Sequence, residues 1–172
     1  MQKPKPQWVS NPEELRAELS RRPPGEIGDI KKRLRRKASA DIDRRVAEIG
    51  PKIEAAIDCK ACGACCKVLE PQLSSEDVKR LARLESKTKE EFLEARTNSL
   101  ENGTLFLKAT PCRYLCGSSC SIYAQRPESC ADFPHLYRAH FMFRRLTWEH
   151  YTLCPIVFNV IEQLLSDVPS ND

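Results

Sequence analysis

The sequence predicts a small, mainly α domain organised by metal, with irregular cysteine-rich loops and little β structure. Three observations predict it: apolar residues at helical intervals near both ends, two capping signatures in the middle, and nine cysteines set where regular structure is interrupted. A chain of 172 residues suits one domain with a modest core. Because 30% of residues are charged and only 41% hydrophobic, part of the chain is expected outside that core, with residues 1–55 the candidate.

These first 55 residues read as a charged helical extension without cysteine or histidine. A Pro-rich start leads into "NPEELRAELSRR", a break at "RPPGEIG", and one long segment, "DIKKRLRRKASADIDRRVAEIGPKIEAAI". Along that segment Ile30, Leu34, Ile42, Val46, Ile49 and Ile53 form a narrow apolar stripe, expected to lie against the cysteine-bearing body. Residues 56–168 are assigned to that body and 169–172 to a disordered tail. In its first half, Ser74 with Asp77 and Thr88 with Glu91 have capping-box spacing, so two short helices should start there. Leu73, Val78, Leu81, Leu84, Phe92 and Leu93 are their expected buried residues. The turn signal Asn102-Gly103 introduces a strand in "TLFLKAT", Thr104 to Thr110. A final amphipathic helix should bury Ile156, Val157, Val160, Ile161, Leu164 and Leu165.

The densest chemical signal is "CKACGACC". Two cysteines separated by two residues form a chelating knuckle, since the turn points both sulfurs inward and its amides can stabilise thiolates. Cys59, Cys62 and Cys65 chain two such knuckles together, with Gly63, Ala61 and Ala64 small enough for the tight backbone. Adjacent side chains are expected to diverge, which sends Cys66 to a different centre from Cys65. Cys112, Cys116, Cys120, Cys130 and Cys154 supply remote sulfurs, with Pro111 and Pro155 interrupting regular structure beside two of them. Two partitions fit this spacing: a ferredoxin-like [4Fe–4S] clasp with a second site, or four-thiolate zinc sites.

"CKACGACC", then "PCRYLCGSSCSIYAQRPESCADFP", then "CP" resembles the CxxCxxCC cysteine-cluster family, described as zinc- or iron-chelating domains and often labelled iron–sulfur cluster oxidoreductases. The resemblance covers roughly residues 56 to 158. It implies metal binding through eight cysteines, Cys59, Cys62, Cys65, Cys66, Cys112, Cys120, Cys130 and Cys154, and leaves Cys116 over. Members usually carry a basic residue after the cysteine matching Cys130. This chain has Ala131-Asp132 there, while Arg126 is retained and could offset thiolate charge.

Other chemistries fit less well. The N-terminus lacks an apolar signal region and no run is long enough to span a bilayer, so a cytoplasmic protein without membrane contact is expected. In a reducing compartment nine cysteines favour metal over disulfides. His135, His140 and His150 lie near the last cysteines, but eight thiols already suffice, so packing or surface roles are expected for them. Tyr114, Tyr123, Phe133 and Trp148 are expected to shield the metal from water. The run "KKRLRRK", Lys31 to Lys37, holds six basic residues in seven; acidic residues follow at Asp41, Asp43 and Glu48 without aromatic interleaving, which favours a solvated helix face over nucleic acid. The net charge of +4 is weak evidence for nucleic acid too, because thiolates and metal together would bring it near neutrality.

There is no Gly-rich phosphate loop, nucleophile elbow or His-Glu-x-x-His motif, and no histidine before Cys59 for a zinc deaminase. The expected function is therefore coordination of zinc or iron, with a [4Fe–4S] cluster among the possible forms, in a structural or metal-handling role. An iron–sulfur redox protein serving an unknown protein partner is the first alternative, and the only enzymatic form the pattern allows. An adaptor using the basic helix is the second.

Overall fold

The computed structural model describes residues 8–108 and 110–168, so the tail expected at 169–172 and the first seven residues lie outside the description. In chain order its helices are α1 (Pro12–Ser20), α2 (Glu26–Arg35), α3 (Ser39–Ala56), α4 (Cys59–Cys62), α5 (Ser75–Leu84), α6 (Lys89–Arg96), α7 (Glu128–Asp132), α8 (Arg145–Tyr151) and α9 (Pro155–Ser166). The strands are β1 (Gln72–Leu73), β2 (Thr97–Ser99), β3 (Leu105–Leu107), β4 (Leu115–Cys116) and β5 (Ser119–Cys120). Helix accounts for 57% and strand for 8%, which places the protein in the mainly α class. The described residues form two compact units: residues 8–59 with 134–168, and residues 60–108 with 110–133. The C-terminal segment thus groups with the N-terminal helices.

In the first unit α9 is the apolar centre. Pro155 opens it at a position where a missing N–H costs nothing, and residues 155–161 and Leu164 are buried along it. Only Leu165 of the expected apolar face is partly exposed. Helices α1, α2 and α3 all pack against α9. Asn11 caps α1, its side-chain oxygen accepting the amides of Glu13 and Glu14 at 3.0 and 2.9 Å. The long segment expected from Asp29 onward is two helices, because the chain leaves helical geometry at Ala38 (φ −61°, ψ 136°). That break lets the Ile30–Leu34 stripe and the Ile42–Val46–Ile49–Ile53 stripe each reach α9; all six residues are buried. Fully burying such side chains stabilises by about 1.5–3 kcal/mol each.

The second unit is built on α5, α6 and a three-stranded antiparallel sheet in the order β1-β3-β2, with Phe106 opposite both Gln72 and Asn98. Both capping boxes form as spaced: Ser74 with Asp77, and Thr88 with Glu91. The Asn102-Gly103 turn leads into β3, with Gly103 at φ +79°. Leu73, Val78, Leu81, Ala82, Phe92, Leu107 and Tyr114 make the core, with Leu93 packed at its edge. Leu84 is the exception among the expected buried residues. It is 41% exposed, because it ends α5 where the chain turns away at Glu85.

Candidate metal centre

The cysteines are carried on short, irregular pieces. Cys59 and Cys62 bracket the single turn of α4, and Gly63 ends that turn at φ +62°. Cys65 and Cys66 open a 3-10 turn, Cys65–Lys67. Cys116 and Cys120 lie on the β4–β5 hairpin, Cys130 on α7, and Cys154 immediately before α9. By unit, Cys59 and Cys154 belong to the first and the other seven to the second. Among the described residues there is no disulfide.

The second unit draws separate pieces of sequence to its sulfurs. The Cys112 amide donates to the Cys66 carbonyl at 2.7 Å, tying the two segments together. Cys112 and Cys120 pack against the hydrophobic core. Burial, followed by the charges of Cys66 and Cys120, raises the Cys112 thiol; burial and Cys66 do the same to Cys120. Cys130 is pushed up to about 12 by burial and then by Cys66, Cys112 and Cys120, with Arg126 opposing. The retained Arg126 is thus near enough to favour thiolates at both Cys120 and Cys130.

Cys65 and Cys66 do not diverge as their adjacency suggests. Their Sγ atoms are 3.9 Å apart, and the Cys65 contact lowers the Cys66 thiol to about 7. A 3-10 turn advances about 120° per residue rather than the half-turn of a strand, so neighbouring side chains there can converge. With metal–sulfur bonds of about 2.3 Å, a tetrahedral site has edges of about 3.8 Å, close to this separation.

The donor set therefore fits zinc or iron in kind, as soft sulfur ligands. Among the described residues no three or more His, Cys, Asp or Glu side chains are already drawn to metal-binding spacing. Cys65 and Cys66 are a sulfur pair at contact distance.

The family model CxxCxxCC, described as a putative zinc- or iron-chelating domain, matches residues 58–153. The chain belongs to the CxxCxxCC family. No curated protein and no solved structure matches it significantly. The match runs from just before Cys59 to just before Cys154, so seven of the eight expected ligands, and Cys116, fall inside it.

Around the cysteines of this CxxCxxCC domain, polar anchors appear that spacing alone did not indicate. Glu85 accepts from Tyr114 Oη at 2.7 Å, Arg96 Nε at 2.7 Å and Arg113 Nε at 2.9 Å, which holds the chain just after Cys112. The Lys60 ammonium is 4.9 Å and the Arg126 guanidinium 3.9 Å from the Tyr123 ring centre. Cys116 and Cys59 are exposed, Cys154 is buried and the other six cysteines are partly buried. Of the aromatics expected to shield metal, Tyr114 lies in the second unit's core, while Trp148 is buried in the first and donates to the Met142 carbonyl at 3.1 Å. Phe133 is half-buried.

The histidines of the CxxCxxCC chain differ among themselves. His150 is buried, and burial followed by the charge of His135 lowers it to about 4; the two rings are 6.0 Å apart. His140 is exposed, its Nδ1 3.1 Å from Ser39 Oγ.

The basic run is partly committed to the fold. Lys31 lies over Trp148, Arg33 donates to the Val168 carbonyl, and Arg35 donates to the carbonyls of Met142 and Phe143 while lying over the Phe143 ring. Lys32 pairs with Asp29. None of the helices of the described residues is long and apolar enough to cross a membrane.

Proposed function

We propose that this chain coordinates zinc or iron through Cys59, Cys62, Cys65, Cys66, Cys112, Cys120, Cys130 and Cys154, in a structural or metal-handling role. The supporting observation is that the Cys112 amide donates to the Cys66 carbonyl at 2.7 Å, joining two cysteine segments remote in sequence, within the unit that also holds the partly buried Cys120 and Cys130. Four partly buried thiols with so little compensating charge are unfavourable as bare thiolates. A divalent cation among them turns that repulsion into ligation.

Elemental analysis of anaerobically purified full-length protein, with its visible spectrum, tests this reading. Zinc or iron at stoichiometric level, lost when the eight cysteines are replaced by serine, supports it. Protein that purifies and refolds without either metal, and takes up neither on titration, refutes it. Brown protein with broad visible absorption assigns an iron–sulfur centre and makes electron transfer to a partner the role. Colourless zinc protein excludes that role.

A further inference from the structure

The Asp77 carboxylate is 1% exposed, and the helix cap that the sequence assigns to it accounts for only part of its bonding. As the capping-box partner it accepts the Ser74 amide at 3.0 Å. It also accepts the Glu128 amide, at 3.2 Å to Oδ1 and 3.4 Å to Oδ2, across 51 residues of sequence. Arg80, one turn further along α5, bonds the same carboxylate and donates from Nε to the Gln125 carbonyl at 3.1 Å and from Nη2 to the Arg126 carbonyl at 3.0 Å. Ser129 Oγ donates to the Gln72 carbonyl at 2.7 Å. The bonds to Gln125, Arg126, Glu128 and Ser129 all fall on residues 125–129, the segment that delivers Cys130 on the five residues of α7.

We infer that Asp77, with Arg80, is a positioning residue for Cys130, a buried clamp that fixes where α7 presents its sulfur to a metal. A helix of five residues has too few internal hydrogen bonds to hold its own direction, so its orientation is set by what grips its first turn. Here that grip is a buried carboxylate whose charge is kept by hydrogen bonds. Burial opposes ionisation, but the bonds from Ser74, Arg80 and Glu128 outweigh it and lower the Asp77 carboxyl. Arrangements that orient a metal ligand in this way typically change metal affinity about 10–100-fold when removed. This inference rests on the reading of Cys130 as a ligand.

The test compares Asp77→Ala, Ser74→Ala, Arg80→Met and Cys130→Ser in the full chain, loaded with cobalt(II) as a spectroscopic probe and titrated with zinc in competition. Ser74→Ala removes the cap on the same helix, since Ser74 Oγ accepts the Asp77 amide at 3.1 Å, but leaves the clamp on Glu128 in place. Asp77→Ala should weaken zinc binding about 10–100-fold and reduce the thiolate-to-cobalt charge-transfer band to the level of Cys130→Ser. Ser74→Ala should lower the melting temperature while leaving the band and the zinc affinity unchanged. If Asp77→Ala does not fold, Arg80→Met carries the test, because Arg80 is partly exposed and the Asp77 carboxylate keeps its bonds from the Ser74 and Glu128 amides. It should shift both readouts in the same direction by a smaller factor.

A full charge-transfer band and wild-type affinity in the clamp variants overturn the inference, as does an equal loss in Ser74→Ala. An unchanged band in Cys130→Ser refutes Cys130 as a ligand, and with it this role for Asp77. Loss of the band in Cys130→Ser with an intact band in the clamp variants refutes the clamp alone.

Discussion

Gly63 lies against the backbone of Ser118: a Cβ added at Gly63 would stand 2.7 Å from the Ser118 carbonyl oxygen. The turn after Cys62 is thereby seated on the β4–β5 hairpin that carries Cys120. Gly63→Ala meets both a hard backbone contact and a left-handed φ of +62°, so we expect destabilisation by about 1–3 kcal/mol and weaker metal binding. Gly117→Ala, at φ +63° with nothing within 4 Å, has the backbone strain without the clash and should cost less. Urea denaturation of the pair separates the two terms.

Metal removal should destabilise the protein. A metal held at about a hundred times its Kd stabilises the folded state by about 2.7 kcal/mol, so chelation should lower the unfolding temperature by several degrees. Cys65→Ser should do the same at unchanged total metal, since it removes one thiol of the 3.9 Å pair. Calorimetry with metal quantified in each sample checks this, and an unchanged melt after verified metal loss would refute the dependence.

Leu81 and Leu84 lie three residues apart on α5 and should behave as opposites. Leu81 is fully buried, so Leu81→Ala should cost about 2–5 kcal/mol; Leu84 is 41% exposed, and Leu84→Ala should fall within about 0.5 kcal/mol of wild type. Denaturation midpoints decide it.

The basic run makes a similar contrast. Arg35→Ala loses two bonds to main-chain carbonyls, at 3.2 and 3.4 Å, and its packing over Phe143, and should destabilise by about 1 kcal/mol or more. Arg36 is exposed, and Arg36→Ala should be nearly neutral. Salt-sensitive RNA retention abolished by Arg36→Glu, without loss of stability, would instead support the adaptor reading.

His150 sets a pH dependence. Its folded form is lowered to about 4 from an ordinary 6.5, so below 6.5 the unfolded chain takes up a proton that the folded chain refuses. Stability from this source is full above about pH 6.5 and falls as the pH drops from there to about 4. His150→Gln should flatten that limb in urea titrations at fixed metal occupancy.

How far the sequence could be read depended on the range of the interactions involved. Capping boxes at Ser74 and Thr88, the Asn102-Gly103 turn and the apolar face of α9 are local patterns, and each formed where its spacing put it. The break at Ala38 was not legible, because the stripe from Ile30 to Ile53 keeps nearly helical spacing and only packing on α9 separates the two helices. Strands β1, β2, β4 and β5 are two or three residues long, too short for alternation to show, and exist because a partner strand pairs with them. Asp77 was legible as a cap and illegible as an anchor for Glu128, since nothing in the spacing of 51 residues marks that contact.

By itself the sequence determined the helical class, the cysteine cluster and membership of a zinc- or iron-chelating family, because those follow from local spacing and from the chemistry of sulfur. Only the tertiary structure decided that the Sγ atoms of Cys65 and Cys66 converge and which buried carboxylate bonds the first turn of the helix bearing Cys130. The physical reason is that a thiol's chemistry is carried by the residue, whereas its position is set by hydrogen bonds and packing between segments that the linear order does not bring together.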